Sequence, residues 1–124
     1  MNDPAPTGRS PVGGPPIRLC RLEALPEGAA RGFVIGEGGA RREVFLHRDA
    51  DRVRGWRNAC PHVGTPLDIA PDRFLTEDGA YFLCQSHGAL FRLADGFCIA
   101  GPCQGKSLTP EAIRLEAGWV LLTG

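Results

Sequence analysis

From Ile17 onward the chain consists of brief apolar runs separated by polar and turn residues: IRLCRL, RGFVIGE, REVFLHR, VRGWRN, AYFLC, LFRLA, FCIA, AIRLEA and WVLLT. The turns recur every eight to twelve positions, which predicts short strands in a small all-β domain. Glu37-Gly38-Gly39-Ala40 divides two of the runs as a hairpin. Asp78-Gly79 and Asp95-Gly96 are further hairpin signals, because glycine takes the positive φ such turns need. Gly118 closes a last hairpin, with Leu115 and Trp119 beside it. No window keeps a helical period, and Pro110-Glu111-Ala112 has room for one turn at most. Residues 1–16 hold five Pro and three Gly and too little apolar surface to offset the entropy of ordering. They are read as a flexible tail, with residues 17–124 as one domain.

Composition narrows the function classes. Of 124 residues, 43% are hydrophobic and 23% charged, an ordinary balance for a folded domain. Fourteen basic and fourteen acidic residues cancel, so no global field draws nucleic acid. The basic stretch Arg41, Arg42, Arg48, Arg52, Arg54 and Arg57 is interleaved with Glu43, Asp49 and Asp51 and reads as a solvated face. No apolar run is long enough to span a membrane, and no export signal opens the chain. The expectation is a soluble, cytoplasmic protein with no membrane or nucleic-acid partner.

The cysteines change that picture. Five of them, without an export signal, favour metal binding over a disulfide framework. Two segments stand apart: Cys60-Pro61-His62 and Cys84-Gln85-Ser86-His87-Gly88. Each joins one thiol to one imidazole, and together they use two of the three histidines in the chain. Glycine follows each pair, at Gly64 and Gly88, where backbone can approach a bulky inorganic group. Two thiolates and two imidazoles suit a tetrahedral Zn²⁺. They equally suit a [2Fe-2S] cluster with two Cys on one iron and two His on the other. Zinc fingers of this ligand type place both Cys on a hairpin and both His on a helix. Here each short segment carries one of each, and no helix is in view.

The flanking residues carry a resemblance. CPHVGTPLD and CQSHGALFRLADG resemble the two cluster loops of Rieske proteins, and Gly101-Pro102 resembles the proline-bearing loop that covers the cluster. The resemblance implies a stack of small antiparallel sheets with two cluster-binding loops at one tip. It implies Cys60 and Cys84 on the inner iron, and His62 and His87 on the outer, more exposed one. Two ferric ions and two sulfides carry a net charge of +2, so two thiolates leave a neutral oxidised site. Four thiolates would leave it at −2 and harder to reduce. Bc-type members of the family carry hydroxyl donors after the second His, where this chain has Ala89 and Phe91. They also carry a disulfide where this chain has Thr65 and Ser86. Both differences resemble the low-potential, oxygenase-associated ferredoxins.

The implied function is one-electron transfer from an NAD(P)H-dependent flavoprotein reductase to a terminal oxygenase or similar acceptor, with no catalysis by this chain. A Rieske-like small subunit of an assimilatory reductase, of the nitrite reductase type, is an alternative, and a structural zinc module another. No 2-His-1-carboxylate iron domain fits in the chain, which removes oxygenase activity of its own. Cys98 and Cys103 are read as small apolar residues near the cluster loop, with extra ligation or a redox pair as alternatives. Cys20, Trp56 and Trp119 are read as core, and His47 as a surface or hydrogen-bonded residue. Val63, Leu67 and Leu90 are read as an apolar collar around the cluster. The acidic insert with Asp68, Asp72, Glu77 and Asp78 is read as a surface excursion.

Overall fold

Val44, Phe45, Leu46 and His47 are consecutive and all buried. A strand covered on one side buries only alternate side chains, so this segment is packed on both faces. The computed structural model, which describes residues 16–36, 38–61 and 64–123, shows what covers it. Residues 1–15 of the expected tail lie outside the described residues.

Ten strands follow in chain order: β1 (Ile17–Arg21), β2 (Ala30–Ile35), β3 (Arg42–Asp49), β4 (Arg52–Arg57), β5 (Tyr81–Leu83), β6 (Leu90–Arg92), β7 (Cys98–Ala100), β8 (Pro110–Glu111), β9 (Ile113–Glu116) and β10 (Trp119–Leu122). They form three antiparallel sheets of order β1-β10-β9, β2-β3-β4-β8 and β5-β6-β7. The helices among the described residues are 3₁₀ turns at Leu22–Ala24 and Gly38–Ala40. None is long and apolar enough to cross a membrane.

β3 is the wall between two cores. Phe45 joins Trp56, Leu67, Phe74, Phe82 and Phe91, together with four cysteines, in the larger one. Leu46, on the opposite face, joins Cys20, Leu25 and Val120 in the smaller. Phe45 stacks on Phe74 with ring centroids 4.3 Å apart and meets Phe82 edge-on at 5.2 Å. Cys20 and Trp56 are therefore core, as read. Trp119 is only half-buried, and the guanidinium groups of Arg18 and Arg21 lie over its ring at 4.9 and 5.2 Å. Cations on an aromatic face can stay hydrated at their outer edge, so this tryptophan closes a surface.

Three further expectations are corrected. The acidic insert is tied into the fold: Gly32 N–H donates to Asp72 Oδ1 at 2.8 Å, and Asn58 Nδ2 to Asp68 Oδ1 at 2.9 Å. Its apolar members Leu67 and Phe74 are fully buried, and Leu75 bridges to Phe82. Pro110–Glu111 is an edge strand against Trp56 and Gly55, where a residue without an N–H is tolerated. Glu111 there takes both Arg57 and Arg42, at 3.2 and 3.9 Å, which helps neutralise the basic stretch. His47 is 3% exposed, edge-on to Phe82, and its Nδ1 has no hydrogen-bond partner.

Burial lowers the His47 pKa below 6.5, with Asp49 opposing and nearby Arg54 adding to the shift. The unfolded chain therefore takes up a proton near pH 6.5 that the folded chain refuses. This contribution to stability is complete above that pH and is lost as pH falls below it. Urea unfolding should show stability declining from pH 6.5 to 5, with a shallower decline in His47→Asn. Phe74→Ala should cost about 3–5 kcal/mol of unfolding free energy. Ile69→Ala, in the same insert but 68% exposed, should change it by less than about 0.5 kcal/mol.

Candidate metal centre

Two loops of matching geometry meet at one end of the sheets. The first leaves β4 and reaches Cys60, whose N–H donates to Thr65 O at 2.7 Å while Gly64 N–H donates to Cys60 O at 2.7 Å. The second joins β5 to β6. There Cys84 N–H donates to Ala89 O at 2.9 Å and Gly88 N–H to Cys84 O at 2.8 Å. In both, the cysteine accepts from the fourth residue onward and donates to the fifth. Gly64 and Gly88, at φ 80° and 75°, turn the chain back in a conformation that L side chains rarely adopt.

The loops are braced from outside. Asn58 Oδ1 accepts from Leu67 N at 2.8 Å while its Nδ2 holds Asp68, so one buried amide spans the exit of the first loop. Gln85 N–H donates to Leu67 O at 2.9 Å and links the first loop to the second. A third segment, following β7, packs on both. Gly101, at φ 103°, sits so close that a Cβ there would meet Ala89 Cα at 2.7 Å. Asn58 and Gln85 carry no metal-ligand signature in the sequence. Their proximity to the cysteines was the available signal, but an amide bracing a loop depends on what lies across from it.

Cys60 and Cys84 are 1% and 0% exposed, while His87 is exposed on the second loop. The expected ligand His62 lies outside the described residues, as does Val63 of the expected collar. Leu67 of that collar is buried and Leu90 half-buried. All five cysteines are buried thiols. Burial pushes the Cys84 thiol above its ordinary range, and the adjacent Cys60 thiol pushes the same way. Backbone N–H groups of His87 and Ser86, directed at the sulfur, pull it down. Burial, with Cys98 and Cys60 beside it, pushes the Cys103 thiol up to about 12.

Paired buried thiols with amide N–H groups aimed at one of them fit cluster iron, which takes sulfur as thiolate and displaces the proton. An exposed imidazole beside them fits the nitrogen-bound half of a mixed Cys/His cluster. Among the described residues, no three His, Cys, Asp or Glu side chains are arranged around a single metal ion. Gly101→Ala should lift the covering segment from the second loop. It should cost about 1–3 kcal/mol of stability and speed loss of bound iron, read by unfolding and by iron release to a chelator.

Comparison with known proteins identifies the family. The sequence matches the Rieske [2Fe-2S] domain over residues 16–115. No curated protein matches it. The fold is similar to that of the ferredoxin of carbazole 1,9a-dioxygenase from Nocardioides aromaticivorans IC177. The TM-score is 0.66 and the identity 23%, covering 89% of this chain and 98% of that one. It is similar to a chain of the complex of reduced oxygenase and oxidized ferredoxin in carbazole 1,9a-dioxygenase, with TM-score 0.67, 21% identity and coverage of 88% and 93%. The terminal oxygenase of carbazole 1,9a-dioxygenase from Novosphingobium sp. KA1 is also similar, at TM-score 0.64 and 23% identity. There 87% of this chain covers 28% of that one. The match spans most of the sequence and both cysteine loops, and the chain belongs to the Rieske [2Fe-2S] domain family.

Proposed function

We propose that this chain is a one-electron carrier whose [2Fe-2S] cluster is held by Cys60 and Cys84 on one iron and by His62 and His87 on the other. The observation that carries the reading is the meeting of two matched loops, with both thiols buried and His87 exposed beside them. When bound, the cluster supplies a site that gains and loses one electron without breaking a substrate bond. The chain's own residues do the rest. The core around Cys60 and Cys84 excludes water from the sulfur side. The Ser86 and His87 amides stabilise thiolate at Cys84. The exposed His87 edge supports that loop as an exit for the electron toward a docked partner.

Ala89 and Phe91 are fully buried and carry no hydroxyl to donate to sulfur. That supports reading the chain as a low-potential member, suited to accept from an NAD(P)H-dependent flavoprotein reductase and deliver to a terminal oxygenase. The similar carbazole dioxygenase complex pairs an oxygenase with a ferredoxin. Both partners, and a cytoplasmic location, are part of this proposal.

Purified protein should be red-brown and contain iron and acid-labile sulfide in equal amounts. Its midpoint potential should lie near about −150 mV, the low end of the Rieske range. A value above about +100 mV would overturn the low-potential assignment. Cys60→Ser and His62→Ala should each abolish stable cluster incorporation. A His62→Ala protein with the native visible and EPR spectra would remove His62 from the ligand set.

A further inference from the structure

Two buried cysteines stand outside the ligand set, and they touch each other. Cys98 opens β7 and Cys103 sits in the turn that follows, 0% and 1% exposed. The Cys103 S–H donates to the Cys98 sulfur at 3.3 Å, and the Cys98 S–H donates to Ala100 O at 3.1 Å. Pro102 and Gln104, on either side of Cys103, are exposed, so the turn is a thin wall between the pair and water. Its backbone closure is short. Cys98 N–H donates to Lys106 O at 2.8 Å and Lys106 N–H to Cys103 O at 2.9 Å. Gly105 N–H reaches Cys98 O at 3.1 Å and Gln104 N–H reaches Gly101 O at 3.2 Å. An exposed turn with so few bonds opens more readily than the strands around it. The same turn carries Gly101, packed on Ala89 of the second cysteine loop. A link from Cys103 to β7 therefore also fixes the cover of that loop.

We propose that Cys98 and Cys103 are a dithiol–disulfide pair that exchanges with low-molecular-weight disulfides and, when oxidised, pins the covering turn to β7. Disulfide sulfurs lie about 2.0 Å apart, so these must close by roughly 1.3 Å, which small rotations of two cysteine side chains supply. In the exchange, Cys103 attacks one sulfur of the small disulfide and expels a thiol. Cys98 then attacks the mixed disulfide and expels the second thiol. Two electrons and two protons leave the pair, and the small disulfide departs as two thiols. Contact between the two cysteines makes the second attack intramolecular and favours it over release. While the turn is closed, burial pushes the Cys103 pKa up to about 12. The attacking species is the thiolate, so exchange runs through the opened turn. Reducing surroundings keep the pair as thiols until the disulfide pool rises. Only the effect on iron rests on the ligand reading above.

The test holds purified native protein without oxygen in glutathione buffers, from fully reduced to fully oxidised, then quenches in acid, denatures and alkylates. Five cysteines should be labelled at the reducing end and three at the oxidising end, with Cys98 joined to Cys103 in the peptide map. Returning the sample to reduced glutathione should restore all five. Iron release to a chelator should be about tenfold slower from the oxidised form, because the link restricts the opened turn. Cys98→Ser should release iron at one rate in both buffers. Five free thiols at the oxidising end, or links to other cysteines in place of the Cys98–Cys103 one, overturn the proposal. A formed link that leaves iron release unchanged overturns the pinning. A native chain without iron and sulfide removes the ligand reading instead, and the peptide map still decides the pair.

Discussion

Two thiols, those of Cys60 and Cys84, lie side by side where water is excluded, and the rest of the molecule answers to that constraint. Burial alone favours neutral thiols, as the raised Cys84 pKa records. The amide N–H groups of Ser86 and His87 oppose that shift from within the loop, and a bound metal cation would oppose it further. Amides can aim at a side chain of their own loop only if the backbone doubles back. The bonds from Gly64 to Cys60 and from Gly88 to Cys84 close both loops in the same way.

Loops this tight need a rigid frame. The first hangs from β4 of the largest sheet and the second from the hairpin β5-β6 of a separate sheet, so their distance depends on how the two sheets pack. The packing is aromatic: Phe45 and Trp56 from one sheet meet Phe82 from the other, with Phe74 of the insert stacked on Phe45. Cys60, Cys84, Cys98 and Cys103 belong to the same buried cluster as these rings. These sulfurs are thus part of the core, so metal binding to them would be linked to folding stability.

The strands were legible because apolar runs and turn residues are local properties. Gly38–Ala40, Asp95-Gly96 and Gly118 mark turns that the structure places between β2 and β3, β6 and β7, and β9 and β10. The misreadings share one cause. Phe74 in an acidic insert, Pro110 on an edge, Trp119 under two arginines and His47 against Phe82 are each defined by a residue distant in sequence. A local pattern carries no record of that neighbour.

Residue type and spacing by themselves singled out the candidate donors, since two Cys/His pairs followed by glycine stand apart from the rest of the chain. They also determined an all-β scaffold, because short runs punctuated by turns cannot sustain helices. Only the tertiary structure decided which sulfurs meet. Cys60, Cys84, Cys98 and Cys103 lie on segments that the sheets bring together across tens of residues, while Cys20 is carried to the other side of β3. Sheet packing sets those distances, and it depends on the whole core.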